Sequence, residues 1–129
     1  MKPELINALV LAYLGDAVLE VKVREYLICE KEIAKPDLLQ KEAIRFVSAK
    51  AQSEFMNHAL ENELFNEKEV SIYKRGRNTK TNRVMKNTSV ADHNRSTGFE
   101  AIFGHLSLEK DDKRIDEIFE LFKEFVESN

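Results

Sequence analysis

Residues 7–20 constrain this chain more than any other stretch, because they are apolar nearly all the way round and yet contain an acid. At 100° per residue, a helix here sets Asp16 among Ala12, Tyr13, Leu19 and Val23, with Leu9 in line behind. The opposite face carries Leu11, Leu14, Val18 and Val21. A helix apolar on every side is expected at the centre of a bundle. A carboxylate buried there must protonate, pair with a cation or bind a metal. Glu20, one turn on, is expected at the helix edge, reaching solvent. Two readings of Asp16 stay open at this point: a structural acid satisfied by an arginine or a helix cap, or an acid with chemistry to perform.

A length of 129 residues predicts one domain over 1–129, with roughly two-thirds of the unfolded chain's surface buried on folding. Apolar residues make up 43% and charged residues 33%, the composition of a folded globular chain rather than a disordered one. No apolar run approaches the ~18 residues of a membrane span, and the first residues lack a signal-peptide layout. The single cysteine, Cys29, excludes an internal disulfide and a multi-cysteine zinc site, and reads as an inert small hydrophobe. The expected location is cytoplasmic, with no membrane partner. A net charge of −3 argues against a polyanionic partner only as a sum. Six bases (Lys74, Arg75, Arg77, Lys80, Arg83, Lys86) and no acid fall within residues 70–91, whereas residues 109–129 hold eight acids and four bases. Local patches, not totals, govern binding to nucleic acid.

All the periodicity is helical, so the expected fold class is an all-α bundle. Pro3 and Pro36, each followed by an acid, mark helix starts. The first helix is expected over 4–28. A second is expected to carry Leu39, Ala43, Phe46, Val47, Ala51, Phe55 and Ala59 on one face. Asn66 and Glu69 have capping-box spacing, with Phe65 and Val70 as a staple, opening a third helix that ends near Arg75. Residues 75–88 lack an apolar period and read as a basic loop. Ser89 and Asp92 open a fourth helix running through Leu108. The last places Ile115, Ile118, Phe119, Phe122, Phe125 and Val126 on one face. No alternation or hairpin signal predicts a strand.

A second acid, Glu100, shares its helical face with Ser96, Thr97, Gly104 and Ser107. Gly98 and Gly104 inside a helix cost about 1 kcal/mol each relative to alanine, which suits a place where another backbone or a ligand comes close. Two carboxylates meeting without a neighbouring base would repel, and a hard divalent cation such as Mg²⁺ resolves this. The competing reading pairs Glu100 with Arg24 or Arg45.

The Tyr13-Leu14-Gly15-Asp16-Ala17-Val18 core resembles the signature helix of ribonuclease III nuclease domains, and Thr97-Gly98-Phe99-Glu100-Ala101 resembles their second acidic motif. The Val47-Ser48-Ala49-Lys50-Ala51-Gln52 stretch, the Lys74-Arg75-Gly76-Arg77-Asn78 run with Lys80, and residues 96–104 point to the short Mini-ribonuclease III branch. The resemblance spans about residues 5–108. It implies a homodimeric, Mg²⁺-dependent endoribonuclease acting on double-stranded RNA, with maturation of 23S ribosomal RNA precursor ends as the family's work. Asp16 and Glu100 match the metal-binding, catalytic acids. Two further acids of the long relatives are replaced here by Ala12 and Thr97, as is typical of the short branch. An aromatic-arginine pair of that branch reads His93-Asn94. Only about 20 residues, richer in acids than in bases, follow the matched region, so no separate double-stranded-RNA-binding domain is expected.

With that resemblance, Lys74, Arg75, Arg77, Lys80, Arg83 and Lys86 are expected to bind RNA phosphates, and Lys50 either adds a contact or faces solvent. The alternative from another class is a catalytically silent double-stranded-RNA-binding dimer acting in ribosome assembly. His58, His93 and His105 lack close metal-ligand spacing and read as surface or packing residues. No nucleotide-binding loop is present.

Overall fold

The computed structural model describes residues 1–79 and 88–129. Among the described residues, six α-helices follow a single 3₁₀ turn at Pro3–Leu5: α1 (Ala8–Cys29), α2 (Pro36–Val47), α3 (Ala49–Glu61), α4 (Glu67–Asn78), α5 (Val90–Leu108) and α6 (Asp112–Ser128). Among the described residues there is no strand, and no helix is long and apolar enough to cross a membrane. The all-α expectation holds.

Three boundaries differ from expectation, each for a local reason. Helix α1 starts at Ala8 rather than at residue 4, because the Asn7 side chain accepts the Leu9 N–H at 2.7 Å and caps it there. The expected second helix is two helices broken at Ser48, whose extended backbone (φ −64°, ψ 148°) ends α2 and whose hydroxyl caps α3. The apolar spacing survives the break, which is why periodicity alone did not reveal it. Helix α4 continues past Arg75 to Asn78, so Lys74, Arg75 and Arg77 are helical and not in a loop. Lys80, Arg83 and Lys86 lie outside the described residues. The expected caps at Asn66 (a full capping box with Glu69) and Ser89 are both formed.

Helices α1 and α5 form the central pair. Leu11, Leu19 and Val23 of α1 and Phe99, Ile102 and Phe103 of α5 are fully buried. Phe55 of α3 links to Phe99 and to Phe122 of α6, with ring centroids 5.5 and 5.3 Å apart in edge-on geometry. One buried ion pair fastens α6 to α4. The Arg114 guanidinium donates to both Glu69 oxygens at 2.7 and 2.8 Å and to the Leu64 carbonyl at 2.9 Å.

Helix α1 is not buried all round. Val10, Tyr13, Val21 and Ile28 are exposed, Tyr13 to 84%. Cys29 is exposed as well, rather than packed as a hydrophobe.

Candidate active site

The crossing of α1 over α5 is set by missing side chains. A Cβ on Gly15 would lie 1.6 Å from the Glu100 carbonyl oxygen, and one on Gly104 would lie 1.9 Å from that of Leu11. The two backbones therefore touch, and the residues flanking Gly15 and Glu100 are brought together whatever their polarity. Asp16 follows Gly15 directly, so its side chain leaves the crossing on the rim beside Glu100.

Asp16 itself is exposed, which corrects the expectation that it points into the core. Its neighbour Tyr13 is exposed too, and only Ala12, Leu19 and Val23 of the anticipated stripe are buried. The acid that is withdrawn from water is Glu100. Burial first, then the adjacent Asp16 charge and a hydrogen bond with Asp16, push its carboxyl up to about 8. The Gln52 amide opposes this shift, and Glu20 adds to it. Without metal, Glu100 accordingly keeps its proton at neutral pH.

The competing partners for Glu100 are engaged elsewhere. Arg24 donates to Glu20 at 3.1 Å, and Arg45 donates to Glu42 at 2.8 Å. Glu20 is half-buried, held by Arg24 and close enough to act on Glu100, so it belongs to the site's electrostatics rather than to a free edge. Its position one turn after Asp16 was the available signal. Ala12 and Thr97 are buried, and the Thr97 hydroxyl donates to the His93 carbonyl at 3.0 Å.

Gln52 was seen in the sequence only as part of a motif. It is completely buried, and its amide Nε2 donates to Glu100 at 3.3 Å and to the Val47 carbonyl at 3.1 Å. Its Oε1 is a buried acceptor without a partner. Two adjacent carboxylates are hard oxygen donors of the kind that suits a divalent cation keeping several waters.

A second group of ligand-type atoms, from Glu4, His105 and Glu109, lies within 4.8 Å. There the Lys68 ammonium sits 2.6 Å from both Glu109 oxygens and answers the charge.

The basic end of α4 packs on the same helix as Glu100. A Cβ on Gly76 would lie 2.8 Å from the Gly98 Cα, so Arg75 and Arg77 flank a contact two residues before Glu100. Lys74 is exposed, and Arg77 lies 5.5 Å from the Tyr73 ring centre. Arg75 donates to the carbonyls of Glu4 and Ile6 at 2.9 and 2.7 Å, tying down the N-terminal turn. Lys50 is exposed, with Glu54 at 4.0 Å.

The profile of the Ribonuclease III domain matches residues 9–111, which contain the whole crossing. The Mini-ribonuclease 3 of Clostridium tetani is 44% identical over 116 residues, covering 90% of this chain and 76% of that protein. The Mini-ribonuclease 3 of Streptococcus pneumoniae is 43% identical, covering 88% of each.

The chain belongs to the Mini-ribonuclease 3 family.

It is accordingly an endoribonuclease of the ribonuclease III type. An X-ray structure of a protein from Fusobacterium nucleatum shares the fold, with a TM-score of 0.79, 29% identity and 92% of each chain covered.

Proposed function

We propose that residues 1–129 form one nuclease unit that cuts double-stranded RNA with Mg²⁺ held by Asp16 and Glu100. The observation that carries this reading is the Gly15 crossing, which sets the two acids in hydrogen-bonding contact on an open rim. When bound, the cation supplies an activated water and charge compensation at the scissile phosphate. Glu100 must give up its proton to bind it, and the Glu20 charge stays answered by Arg24. Hydrolysis leaves 5′-phosphate and 3′-hydroxyl ends.

Lys74 and Arg77 contact backbone phosphates, joined by Lys80, Arg83 and Lys86 of the same basic run. Recognition rests on duplex shape, phosphates and 2′-hydroxyls, because A-form RNA hides its base edges in a deep groove. Arg75 acts mainly on the fold, since its guanidinium is engaged with backbone carbonyls. The expected substrate is the paired precursor of 23S ribosomal RNA ends, in the cytoplasm.

Each cut strand calls for one site, so a homodimer is part of the reading. The exposed apolar positions Val10, Tyr13, Val21 and Ile28 of α1, at steps of three, eight and seven, supply a stripe for a second copy. At Ile28 the stripe runs into a groove of about 530 Å³ between α1 and α2, lined by Leu27, Leu39 and Ala43.

The test incubates long double-stranded RNA with the protein in Mg²⁺, with the protein in EDTA, and with Asp16→Asn in Mg²⁺. Cutting in the first tube alone supports the reading. Cutting by Asp16→Asn at the parent's rate rejects it, and binding without cutting in every tube favours a silent RNA-binding dimer.

A further inference from the structure

The break between α2 and α3 has a consequence at the acid pair. In an unbroken helix the Val47 carbonyl would accept the Ala51 N–H four residues on. Here the Ser48 hydroxyl takes that N–H at 3.2 Å, and the Val47 carbonyl is released. The Gln52 side chain occupies it, with Nε2 donating at 3.1 Å, while its backbone N–H bonds the Ser48 carbonyl at 3.1 Å. Gln52 is thereby anchored at both its main chain and its side chain before it reaches Glu100. The second hydrogen of Nε2 then goes to Glu100 Oε2 at 3.3 Å.

The orientation of the amide follows from these partners. Exchanging its oxygen and nitrogen would set a carbonyl oxygen against the Val47 carbonyl oxygen, and neither can donate. With Nε2 fully used, Oε1 is left buried and unpartnered, the one such side-chain atom among the described residues. A buried acceptor without a donor is unfavourable and calls for one. Oε1 is bonded to the same carbon as Nε2, whose hydrogen reaches Glu100. The groups already in the site cannot serve a cation-bound state: the Asp16 and Glu100 carboxylates and the Val47 carbonyl are all acceptors.

We infer that Gln52 is a positioning residue for the acid pair, its Nε2 fixing the Glu100 carboxylate and its Oε1 accepting a hydrogen bond from a water that a divalent cation brings into the site. This rests on the proposed role of Asp16 and Glu100 and adds to it. The motif from Val47 to Gln52 thereby acquires a physical purpose. Its serine breaks the helix, the break frees a carbonyl, and the carbonyl anchors the glutamine. Outer contacts of this kind orient metal ligands and typically alter metal affinity by about ten- to a hundredfold when removed.

The experiment titrates Mn²⁺ into the full, metal-free chain without RNA, following free ion by electron paramagnetic resonance. It compares the parent, Asp16→Asn, Gln52→Met and Gln52→Asn, with circular dichroism and steady-state cleavage on each. Methionine keeps the unbranched volume without either polar atom, and asparagine keeps the amide but retracts it. The expected result is Mn²⁺ binding by the parent, its loss in Asp16→Asn, and affinity weakened about ten- to a hundredfold in both Gln52 variants. The kcat of both should fall while KM for RNA stays unchanged. Parent-like Mn²⁺ affinity in a folded Gln52 variant overturns the inference alone, even if its melting temperature falls. Equal binding by the parent and Asp16→Asn overturns the acid-pair reading and this inference with it. Loss of the folded spectrum in both Gln52 variants makes Gln52 a packing residue and also rejects the inference.

Discussion

Glu100 is the residue whose surroundings do most. Its carboxyl is raised from an ordinary 4.5 to about 8 because burial, the Asp16 charge and the bond with Asp16 all disfavour its ionised form. Between those two pH values the folded, metal-free chain holds a proton that the unfolded chain has released. Stability from this group is thus complete below about 4.5 and lost as pH rises through about 8. The melting temperature of the metal-free protein should fall across that window, and Glu100→Gln should flatten the fall. A parent-like slope in Glu100→Gln would show that another group is responsible. The same proton competes with a cation, so Mg²⁺ affinity should rise about tenfold per pH unit up to that point and then level off. Calorimetric titration at several pH values, in buffers of different ionisation enthalpy, counts the proton released.

At the scale of elements, the helices are held by a few points where substitution has a defined sign. Gly15→Ala inserts a methyl where the Glu100 carbonyl already stands, so α1 and α5 must part. Overpacking of this kind costs about 3 kcal/mol, and here it also separates the acids. The urea midpoint and the cleavage rate should both drop, and an unchanged midpoint would mean that the two helices have room to spare at the crossing. Arg114→Met leaves the buried Glu69 carboxylate without its guanidinium, and losing one partner of a buried pair costs about 3–5 kcal/mol. Equilibrium denaturation measures it, and Glu69→Gln with Arg114→Met should recover part of the loss. The capping signals at Asn66 and Ser89 were legible because a cap is a contact over three residues. The break at Ser48 was not, because α2 and α3 continue one apolar spacing across it and the serine reads as an ordinary polar position.

For the whole molecule, the uncovered stripe on α1 and the basic end of α4 are the surfaces left to answer. Tyr13→Glu should shift the protein toward monomer in sedimentation velocity while retaining its helical spectrum, since Tyr13 packs on little within its own chain. Lys74→Glu with Arg77→Glu should weaken binding to duplex RNA and reduce the slope of log affinity against log salt by about two, at unchanged kcat on saturating RNA. A salt slope equal to the parent's would place the phosphate contacts elsewhere.

The sequence alone determined the helical class, the caps at Asn66 and Ser89, and where the two acids and the basic run fall along the chain, because each depends on neighbours within a few residues or on a linear motif. It misjudged which acid is buried. Periodicity assigns faces to α1 as though every face met the same surroundings, whereas Asp16 and Tyr13 stay exposed and Asp16 meets α5 only at the rim, beside Glu100. Only the tertiary structure decided that Glu100 is the withdrawn member, that Glu20 acts on it and that Gln52 reaches it. Those outcomes depend on how closely two backbones approach at Gly15 and on a carbonyl freed by a broken helix, distances set between segments far apart in the chain.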